Sequence, residues 1–310
     1  MRWVLSVLPV SRHCRIAASP QRWGDAGSVT APPATPESVE LSTSKRHEMT
    51  VARVALVTGS ATGVGAVTAQ SFAERGWNVV VNYSRSEREA EATAAACHAA
   101  GADVLLQRGD VEDDAECRAL VGGAMARWGR IDALVNNAGI SSFAGAANWD
   151  AIDAATFQRI LGVNALGAFQ MIRAAAPHLK AAGGCVVNVS SIAGALGIGS
   201  SVAYIASKGA VNSMTLYFAR AMAPEVRVNA VCPGLITTRW FVDGIGQDGY
   251  DKILAGYEAA VPLARASTPE DVAAAVLWLV EGARTVTGEL LLLDGGMHLG
   301  ASQAAQMASR

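Results

Sequence analysis

Tyr204 and Lys208 are the two residues whose types and spacing point most directly to chemistry. In a helix, residues four apart share one face, so the phenol and the ammonium can reach the same cleft. A tyrosine with an ordinary pKa near 10 is a poor base at neutral pH. A neighbouring Lys⁺ favours the phenolate, and lowering the pKa to about 7 requires about 4 kcal/mol of differential stabilisation. The pair therefore predicts a tyrosine that exchanges a proton with a substrate. A chance pairing is the alternative, but tyrosine is scarce, at 5 in 310 residues.

Two serines, Ser190 and Ser191, follow an apolar segment just ahead of the Tyr204 helix. Ligands bind at the carboxyl ends of strands in open α/β sheets, and a hydroxyl there can hydrogen-bond a substrate oxygen. Without the Tyr/Lys pair, the default interpretation would be serine as a turn former.

A glycine-rich segment, Thr58-Gly-Ser-Ala-Thr-Gly-Val-Gly65, lies between an apolar strand and a helical pattern. Glycine permits a tight turn and lets the backbone approach a pyrophosphate, whose charge then lies at the helix N-terminus. The spacing is G-x-x-x-G-x-G, and among 31 glycines it is weak by itself, because a plain glycine-rich turn would look the same. Its place between strand and helix favours a dinucleotide site.

The second predicted strand ends in Asn82-Tyr-Ser-Arg85, without a carboxylate. Sites that prefer NAD usually carry Asp or Glu there to bind the ribose 2′-hydroxyl. Ser84 and Arg85 can instead donate hydrogen bonds to a 2′-phosphate, which favours NADP(H). The alternative is that Arg85 is an ordinary surface residue at a helix start.

The elements that must position these residues alternate between strand and helix. Apolar runs predict seven strands, at 54–57, 78–83, 103–107, 131–136, 185–190, 227–232 and 289–293. Helical patterns separate the strands. They lie at about 64–75, 86–100, from after the third strand to about 128, and at 155–182, 202–223 and 269–281. This order predicts an α/β fold: one Rossmann-type domain, with a doubly wound parallel sheet and helices on both faces.

Composition divides the chain near residue 50. Residues 1–50 are rich in Pro, Ser and Thr and are predicted to form a disordered extension; 51–300 form the domain, and 301–310 a tail. The first 24 residues carry four arginines and no acid, which is compatible with an organellar targeting peptide. A start at Met49, or a simple tail, is the alternative.

Charge, hydropathy and cysteine content argue against several classes of protein. A net charge of −2 and a pI of 6.2 argue against nucleic-acid binding. No apolar run reaches the roughly 18 residues that suggest a membrane-spanning helix. Five widely spaced cysteines predict neither a disulfide framework nor a metal site, and they fit a reducing, cytoplasmic location.

Together these motifs resemble those of the short-chain dehydrogenase/reductase family, over residues 51–300. The glycine turn resembles its TGxxxGxG element, and Asn136-Asn-Ala-Gly139 its NNAG element. Tyr204 and Lys208 match YxxxK, with Ser191 thirteen residues before Tyr204. Asn164, Pro233-Gly234 and Asp294-Gly-Gly296 also fit. The chain is most similar to the branch of 3-oxoacyl-carrier-protein reductases, which also contains sugar, polyol and steroid enzymes.

The resemblance implies a hydride transfer between NAD(P)(H) and a small-molecule ketone or alcohol. Tyr204 would be the acid/base, Lys208 would lower its pKa and hold the nicotinamide ribose, Ser191 would polarise the carbonyl, and Asn164 would anchor a water. Asp110 would contact the adenine, and Thr237 or Thr238 the nicotinamide amide or phosphates. The full implied cofactor set is Gly59, Ser60, Thr62, Gly63, Val64, Gly65, Tyr83, Ser84, Arg85, Asp110, Val111, Asn137, Ala138, Gly139, Tyr204, Lys208, Pro233, Gly234 and Thr237.

One departure is Thr62, where many NADP-dependent relatives carry a basic residue, so NAD(H) or dual use stays open. Two other functions remain alternatives: a nucleotide-sensing module, which typically lacks the Tyr or the Lys, and a methyltransferase, which would need an acid after the second strand.

The last two predictions concern the substrate pocket and the assembly. Residues 235–266 are expected to form a mobile lid, because the segment is long and lacks a strong period. Its aromatic residues would either wall an apolar pocket or pack the lid onto the domain. The resemblance implies a homotetramer with the helices near 155–182 and 202–223 at an interface, although their alanine-rich faces could equally cover the sheet.

Overall fold

The computed structural model describes residues 52–144 and 148–300. The predicted extension over residues 1–50, its targeting segment and the tail over 301–310 lie outside the described residues. Those three expectations therefore stay predictions.

Seven parallel strands form one sheet in the order β3-β2-β1-β4-β5-β6-β7. This confirms the doubly wound α/β fold, and each predicted strand is present within two residues at either end. The strands are β1 (Val54–Val57), β2 (Asn78–Tyr83), β3 (Val104–Arg108), β4 (Ala133–Asn136), β5 (Cys185–Val189), β6 (Arg227–Pro233) and β7 (Leu290–Leu293).

Nine α-helices lie in the described part of the chain. They are α1 (Gly63–Glu74), α2 (Glu87–Ala99), α3 (Asp114–Trp128), α4 (Ala154–Leu161), α5 (Gly167–Ala182), α6 (Ala193–Leu196), α7 (Val202–Ala221), α8 (Arg239–Ala260) and α9 (Pro269–Leu277). Within residues 52–144 and 148–300, no helix combines the length and the apolarity needed to cross a membrane.

The core lies on both faces of the sheet, which explains why the strands are continuous apolar runs. Successive strand residues point to opposite faces. Ala55 and Val57 join the cluster beneath α1 and α9, whereas Leu56 joins the cluster beneath α3 and α5. All three are fully buried.

The strand order reverses at β1, which pairs with β2 on one side and with β4 on the other. Loops that leave neighbouring strands on opposite sides open a crevice at their carboxyl ends. The glycine turn follows β1 and the Asn136–Gly139 segment follows β4, so both line this crevice.

Two helical predictions were wrong in detail. The single helix expected over 155–182 is interrupted by a π-helical turn, Gly162–Leu166, and the helix expected over 269–281 ends as a π turn, Trp278–Gly282. The segment over 235–266 is mostly helical, as α8, with a non-helical break at Gly246. Its period was weak because no residue of α8 is fully buried.

Candidate active site

Tyr204 and Lys208 lie on the first turns of α7, and their side chains lie on the same face of the helix. The hydroxyl of Ser201 accepts a hydrogen bond from the Tyr204 backbone N–H at 3.3 Å and so caps the helix just before the pair. The Lys208 Nζ is 5.6 Å from the centre of the Tyr204 ring. It donates to the main-chain oxygen of Val189 at 2.9 Å, which holds the amine at the end of β5.

Ser191 is the serine that meets Tyr204. A hydrogen bond between their hydroxyls lowers the pKa of Tyr204. The Ser191 Oγ also donates to the Pro233 oxygen at 3.4 Å and accepts from the Ala193 N–H at 3.1 Å. Ser190 points elsewhere: its Oγ donates to Asn212 Oδ1 at 2.6 Å. The structure therefore supports the choice of Ser191 over Ser190.

The protonation of the pair differs from the expectation. Burial raises the pKa of Tyr204 to about 12, and this effect exceeds the opposing hydrogen bond from Ser191. Burial also lowers the pKa of Lys208 to about 8. The polypeptide alone thus keeps Tyr204 protonated and weakens the hold of Lys208 on its proton, because desolvation disfavours charge, although a pKa of about 8 leaves the amine mostly protonated at pH 7. A phenolate at neutral pH requires additional positive charge next to the ring.

Asn164 lies in the π turn between α4 and α5, and both the nitrogen and the oxygen of its side-chain amide make hydrogen bonds. Its Oδ1 accepts from the Ile140 N–H at 2.8 Å, and its Nδ2 donates to the Ile140 oxygen at 3.0 Å and to Ser207 Oγ at 2.9 Å. Ser207 Oγ in turn donates to the Tyr204 main-chain oxygen at 2.7 Å. Asn164 therefore connects the loop after β4 to α7.

The glycine turn folds tightly against the segment that follows β4. Gly59 has φ +61°, and a Cβ there would lie 2.9 Å from Ala138 Cα. A Cβ on Gly65 would lie 2.4 Å from Asn137 Nδ2. Asn137 and Ala138 thus act partly by shaping the turn, and Asn137 Nδ2 donates to the Gly59 oxygen at 3.0 Å.

The N-terminus of α1 is suited to an anion. Thr62 is its N-cap residue, yet its side chain makes no capping hydrogen bond, which leaves main-chain N–H groups for a ligand. Ser60, by contrast, is fully buried: its side chain donates to the Val57 oxygen at 2.8 Å and its main-chain N–H to the Asn82 oxygen at 2.9 Å, so it supports the turn from beneath.

Gly139 lies beside the catalytic pair. A Cβ at this position would lie 3.4 Å from Asn164 Oδ1 and 3.7 Å from Lys208 Nζ, which are ordinary contact distances. The loop after β4 therefore extends from the glycine turn, which Asn137 and Ala138 contact, to Lys208, and a dinucleotide bound along it would meet both. The residues present fit NAD(P)(H).

At the end of β2, Ser84 and Arg85 are exposed, whereas the Tyr83 ring is buried and its hydroxyl donates to Glu87 at 2.7 Å. Among the described residues, none pairs with the Arg85 guanidinium. Sequence reasoning missed Asn82, whose Oδ1 accepts from the Gly59 N–H at 2.9 Å and whose Nδ2 donates to the Gly109 oxygen at 3.0 Å. A polar residue in the run NVVVNY was the available signal.

The remaining predicted cofactor residues line the crevice unequally. Asp110 Oδ1 accepts from the Glu112 N–H at 3.1 Å, directly after β3. The Val111 side chain is buried in the core, so it can offer only main-chain atoms. The Thr237 N–H donates to the Ser267 oxygen at 2.9 Å, and Thr238 Cγ2 would lie 3.8 Å from a Cβ on Gly63, beside the glycine turn. Gly63, Val64, Pro233 and Gly234 lie at the element ends that border the crevice.

The aromatic residues of the predicted lid divide between two roles. Trp240 makes an edge contact with Tyr204, with ring centres 6.3 Å apart. Phe241 packs instead on Phe143, at 5.5 Å. The Tyr257 hydroxyl donates to the Asp294 oxygen at 2.7 Å and anchors the end of α8. The two predicted roles are therefore divided: Trp240 lies beside Tyr204, whereas Phe241 and Tyr257 pack the segment onto the domain.

The chain is similar to known proteins in both sequence and structure. A family model described as enoyl-(acyl carrier protein) reductase matches residues 59–298. A protein of Streptomyces violaceoruber, named as granaticin polyketide synthase ketoacyl reductase 2, is 46% identical over 249 residues, covering 80% of this chain and 97% of that protein. The 3-oxoacyl-[acyl-carrier-protein] reductase of Staphylococcus aureus is 32% identical over 259 residues, covering 81% of this chain and 100% of that protein.

A solved structure from Burkholderia xenovorans, named as a short-chain dehydrogenase/reductase, superposes with a TM-score of 0.74. It is 40% identical, and the match covers 80% of this chain and 99% of the solved one.

Proposed function

The chain belongs to the short-chain dehydrogenase/reductase family and is an NAD(P)-dependent oxidoreductase of CH–OH and C=O groups. From this premise we propose that it interconverts a ketone or 3-oxo group and a secondary alcohol with NADP(H). The observation that carries the proposal is the convergence of Tyr204, Lys208 and Ser191 from two elements onto one cleft.

The proposed roles follow from the geometry. When bound, the nicotinamide supplies or accepts the hydride. In reduction, the Tyr204 hydroxyl donates its proton to the substrate oxygen, and its raised pKa keeps the proton in place at neutral pH. Ser191 hydrogen-bonds that oxygen as negative charge develops on it. Lys208, held by the Val189 oxygen, stabilises the phenolate that remains.

Asn164 supports this set indirectly. Both N–H groups of its side-chain amide are used by Ile140 and Ser207, so a water that it anchors would donate a hydrogen bond to one of its oxygens. We propose that such a water connects Lys208 to solvent and returns the proton to Tyr204.

The preference for NADP(H) is supported by charge at the end of β2. Arg85 is exposed and unpaired among the described residues, Ser84 lies beside it, and the strand end carries no acid. A 2′-phosphate would give Arg85 a partner through charge-assisted hydrogen bonds. Thr62 adds no charge, so NAD(H) use is the alternative that the cofactor assay tests.

The proposed substrate is an apolar or mixed ketone. Trp240 borders Tyr204, so the carbon skeleton of a ketone bonded to the tyrosine hydroxyl would lie against an aromatic wall. The Streptomyces violaceoruber relative, named as a ketoacyl reductase, is compatible with a 3-oxo compound.

We also propose that the chain forms a homotetramer. Leu166, Leu216 and Tyr217, in the π turn before α5 and in α7, are 47%, 39% and 64% exposed, which is high for apolar side chains on neighbouring elements. Sedimentation equilibrium would yield four times the chain mass, whereas a monomer mass would refute this assembly.

The proposed function is tested by following the oxidation of NADPH and NADH with a panel of cyclic and acyclic ketones. We expect oxidation that depends on the ketone and is lost in Tyr204→Phe. If no ketone is reduced with either cofactor, or if Tyr204→Phe is fully active, the proposal fails. Cofactor binding without turnover would favour the nucleotide-sensing alternative.

A further inference from the structure

Two elements supply the catalytic groups, a third contacts Ser191, and a buried polar cluster joins all three next to the site. Ser191 follows β5, Tyr204 and Lys208 lie on α7, and the Pro233 oxygen that Ser191 contacts ends β6. The cluster consists of Ser190, Asn212 and Cys232, one residue from each of the same three elements. Their exposed fractions are 4%, 6% and 0%.

Ser190 is the centre of this cluster. Its Oγ donates to Asn212 Oδ1 at 2.6 Å, and the Lys208 main-chain oxygen, one turn earlier on α7, lies 3.3 Å from the same Oγ, so the single hydroxyl hydrogen is directed mainly at Asn212. The Cys232 Sγ lies 3.7 Å from the same Asn212 oxygen. The side chain that directly precedes Ser191 in sequence therefore holds the helix that carries Tyr204.

A close backbone contact supports the same join. A Cβ on Gly194 would lie 2.4 Å from the Lys208 carbonyl carbon and 2.6 Å from the Gly209 nitrogen. The loop after β5 thus packs directly on the α7 backbone at Lys208. Without the hydrogen bond from Ser190, this contact would still hold α7 against the segment after β5, but it would not fix the rotation of α7 about its own axis.

We propose that Ser190 and Asn212 are a positioning pair, which fixes α7 on β5 so that the hydroxyls of Ser191 and Tyr204 meet at the substrate oxygen. Neither side chain reaches the substrate in this role. Catalytic groups must be held within about 0.5 Å of the productive geometry, and a shift of about 1 Å costs about a hundredfold in rate. The inference rests on the proposed roles of Ser191 and Tyr204.

The test compares Ser190→Ala, Asn212→Leu and the double variant, in reduction of 2-tetralone or the best ketone of the panel. We expect each single variant to lower kcat about tenfold. The KM for NADPH should stay within about twofold, because the proposed phosphate contacts lie at β1 and β2. The deuterium isotope effect on kcat, from NADPH labelled at the transferred position, should rise as hydride transfer becomes limiting.

Because both side chains form one link, the double variant should be no slower than the slower single variant. Losses that multiply to about a hundredfold would show two independent roles and would overturn the pair. Unchanged kcat and isotope effect in Ser190→Ala and Asn212→Leu would overturn it as well.

Thr215→Val is the matched control for lost stability. Thr215 is fully buried on α7, two turns beyond Lys208, and its Oγ1 accepts from Asn188 at 2.9 Å. This variant removes a buried hydrogen bond in the same helix and should lower the thermal midpoint while leaving kcat within about twofold of wild type. An equal loss of kcat in Thr215→Val would assign the effect to general loosening and reject the proposal.

Tyr204→Phe separates the two levels of inference. If it is inactive while the Ser190 and Asn212 variants are normal, only the positioning pair fails. If it is fully active, the proposed function fails. NADPH binding measured by fluorescence verifies that each variant is folded.

Discussion

The Lys208 amine lies 5.6 Å from the centre of the Tyr204 ring, yet burial moves both groups away from their charged forms. In the protein alone, Tyr204 keeps its proton and can act as an acid in reduction. Alcohol oxidation requires the phenolate, and the positive charge of an oxidised nicotinamide would favour it. The two reaction directions should therefore depend differently on pH.

Tyr204→Phe removes the proton donor while keeping the ring that contacts Trp240. Since a positioned acid contributes about 10²–10⁴ in rate, kcat should fall at least a hundredfold. The KM for NADPH should change little, as measured by initial rates. Tyr217→Phe, an exposed position on the same helix, is the control and should be fully active. A Tyr204→Phe enzyme that keeps a tenth of its activity would contradict the assigned role.

Lys208 should make the cofactor-free protein more stable as pH rises from about 8 to about 10. Its folded pKa, about 8, lies below its ordinary value of 10.5, so the unfolded chain binds the proton more tightly in this range. The free energy of unfolding therefore rises with pH between these two pKa values, and the contribution of Lys208 over the full interval is about 3 kcal/mol. Tyr204 acts in the opposite sense only above pH 10, where its raised pKa begins to cost stability.

Urea unfolding at pH 8 and pH 9.5, at one protein concentration, measures this effect. The four cysteines buried in the described part of the chain act in the opposite sense above pH 9, because burial raises their pKa values. The contribution of Lys208 is therefore the difference in unfolding free energy between wild type and Lys208→Met, which should grow in favour of wild type from pH 8 to pH 9.5. Lys252→Met, on the exposed surface of α8, should leave the rise intact. A Lys208→Met protein with the wild-type slope would show that other groups cause it.

Arg85→Ala tests the proposed phosphate contact. Removing the guanidinium should raise the KM for NADPH about tenfold and the KM for NADH less than twofold, since a lost charge-assisted hydrogen bond costs about 1.5–3 kcal/mol. Arg284→Ala, which removes another exposed arginine far along the chain, serves as the control. Equal effects of Arg85→Ala on the two cofactors would exclude a phosphate-specific role.

The sequence predicted the sheet well because its strands are buried on both faces and read as apolar runs, from Val54–Val57 to Leu290–Leu293. The Tyr204/Lys208 pair was also predictable, because the i, i+4 relationship within a helix is local. The choice of Ser191 came from spacing to Tyr204, and the orientation of Ser190 toward Asn212 accounts for it.

Features that depend on tertiary contacts could not be predicted. The π turn that holds Asn164 does not follow from local propensity, since its neighbours on both sides form ordinary helix. The direction of the Tyr204 pKa shift depends on burial by elements distant in sequence, which outweighs the opposing hydrogen bond with Ser191. Asn82 was missed because its partners, Gly59 and Gly109, come from two other strand ends.

Trp240→Ala tests whether the aromatic contact at Tyr204 selects the substrate. The indole is 38% exposed and borders the ring that would protonate the ketone, so a flat bicyclic ketone can cover it. Removing the indole should raise the KM for 2-tetralone about tenfold, corresponding to about 1.4 kcal/mol of lost aromatic contact. The KM for acetone should change less than twofold, because so small a ketone cannot reach from Tyr204 across the indole.

Ile253→Ala is the matched control for this variant, since it removes an apolar side chain, 45% exposed, from the second half of α8. It should leave both KM values unchanged. If Trp240→Ala raised the KM of acetone and 2-tetralone equally, the indole would be acting on the position of Tyr204 and not on the substrate. If neither KM changed, Trp240 would be a packing residue of α8, like Phe241 on Phe143.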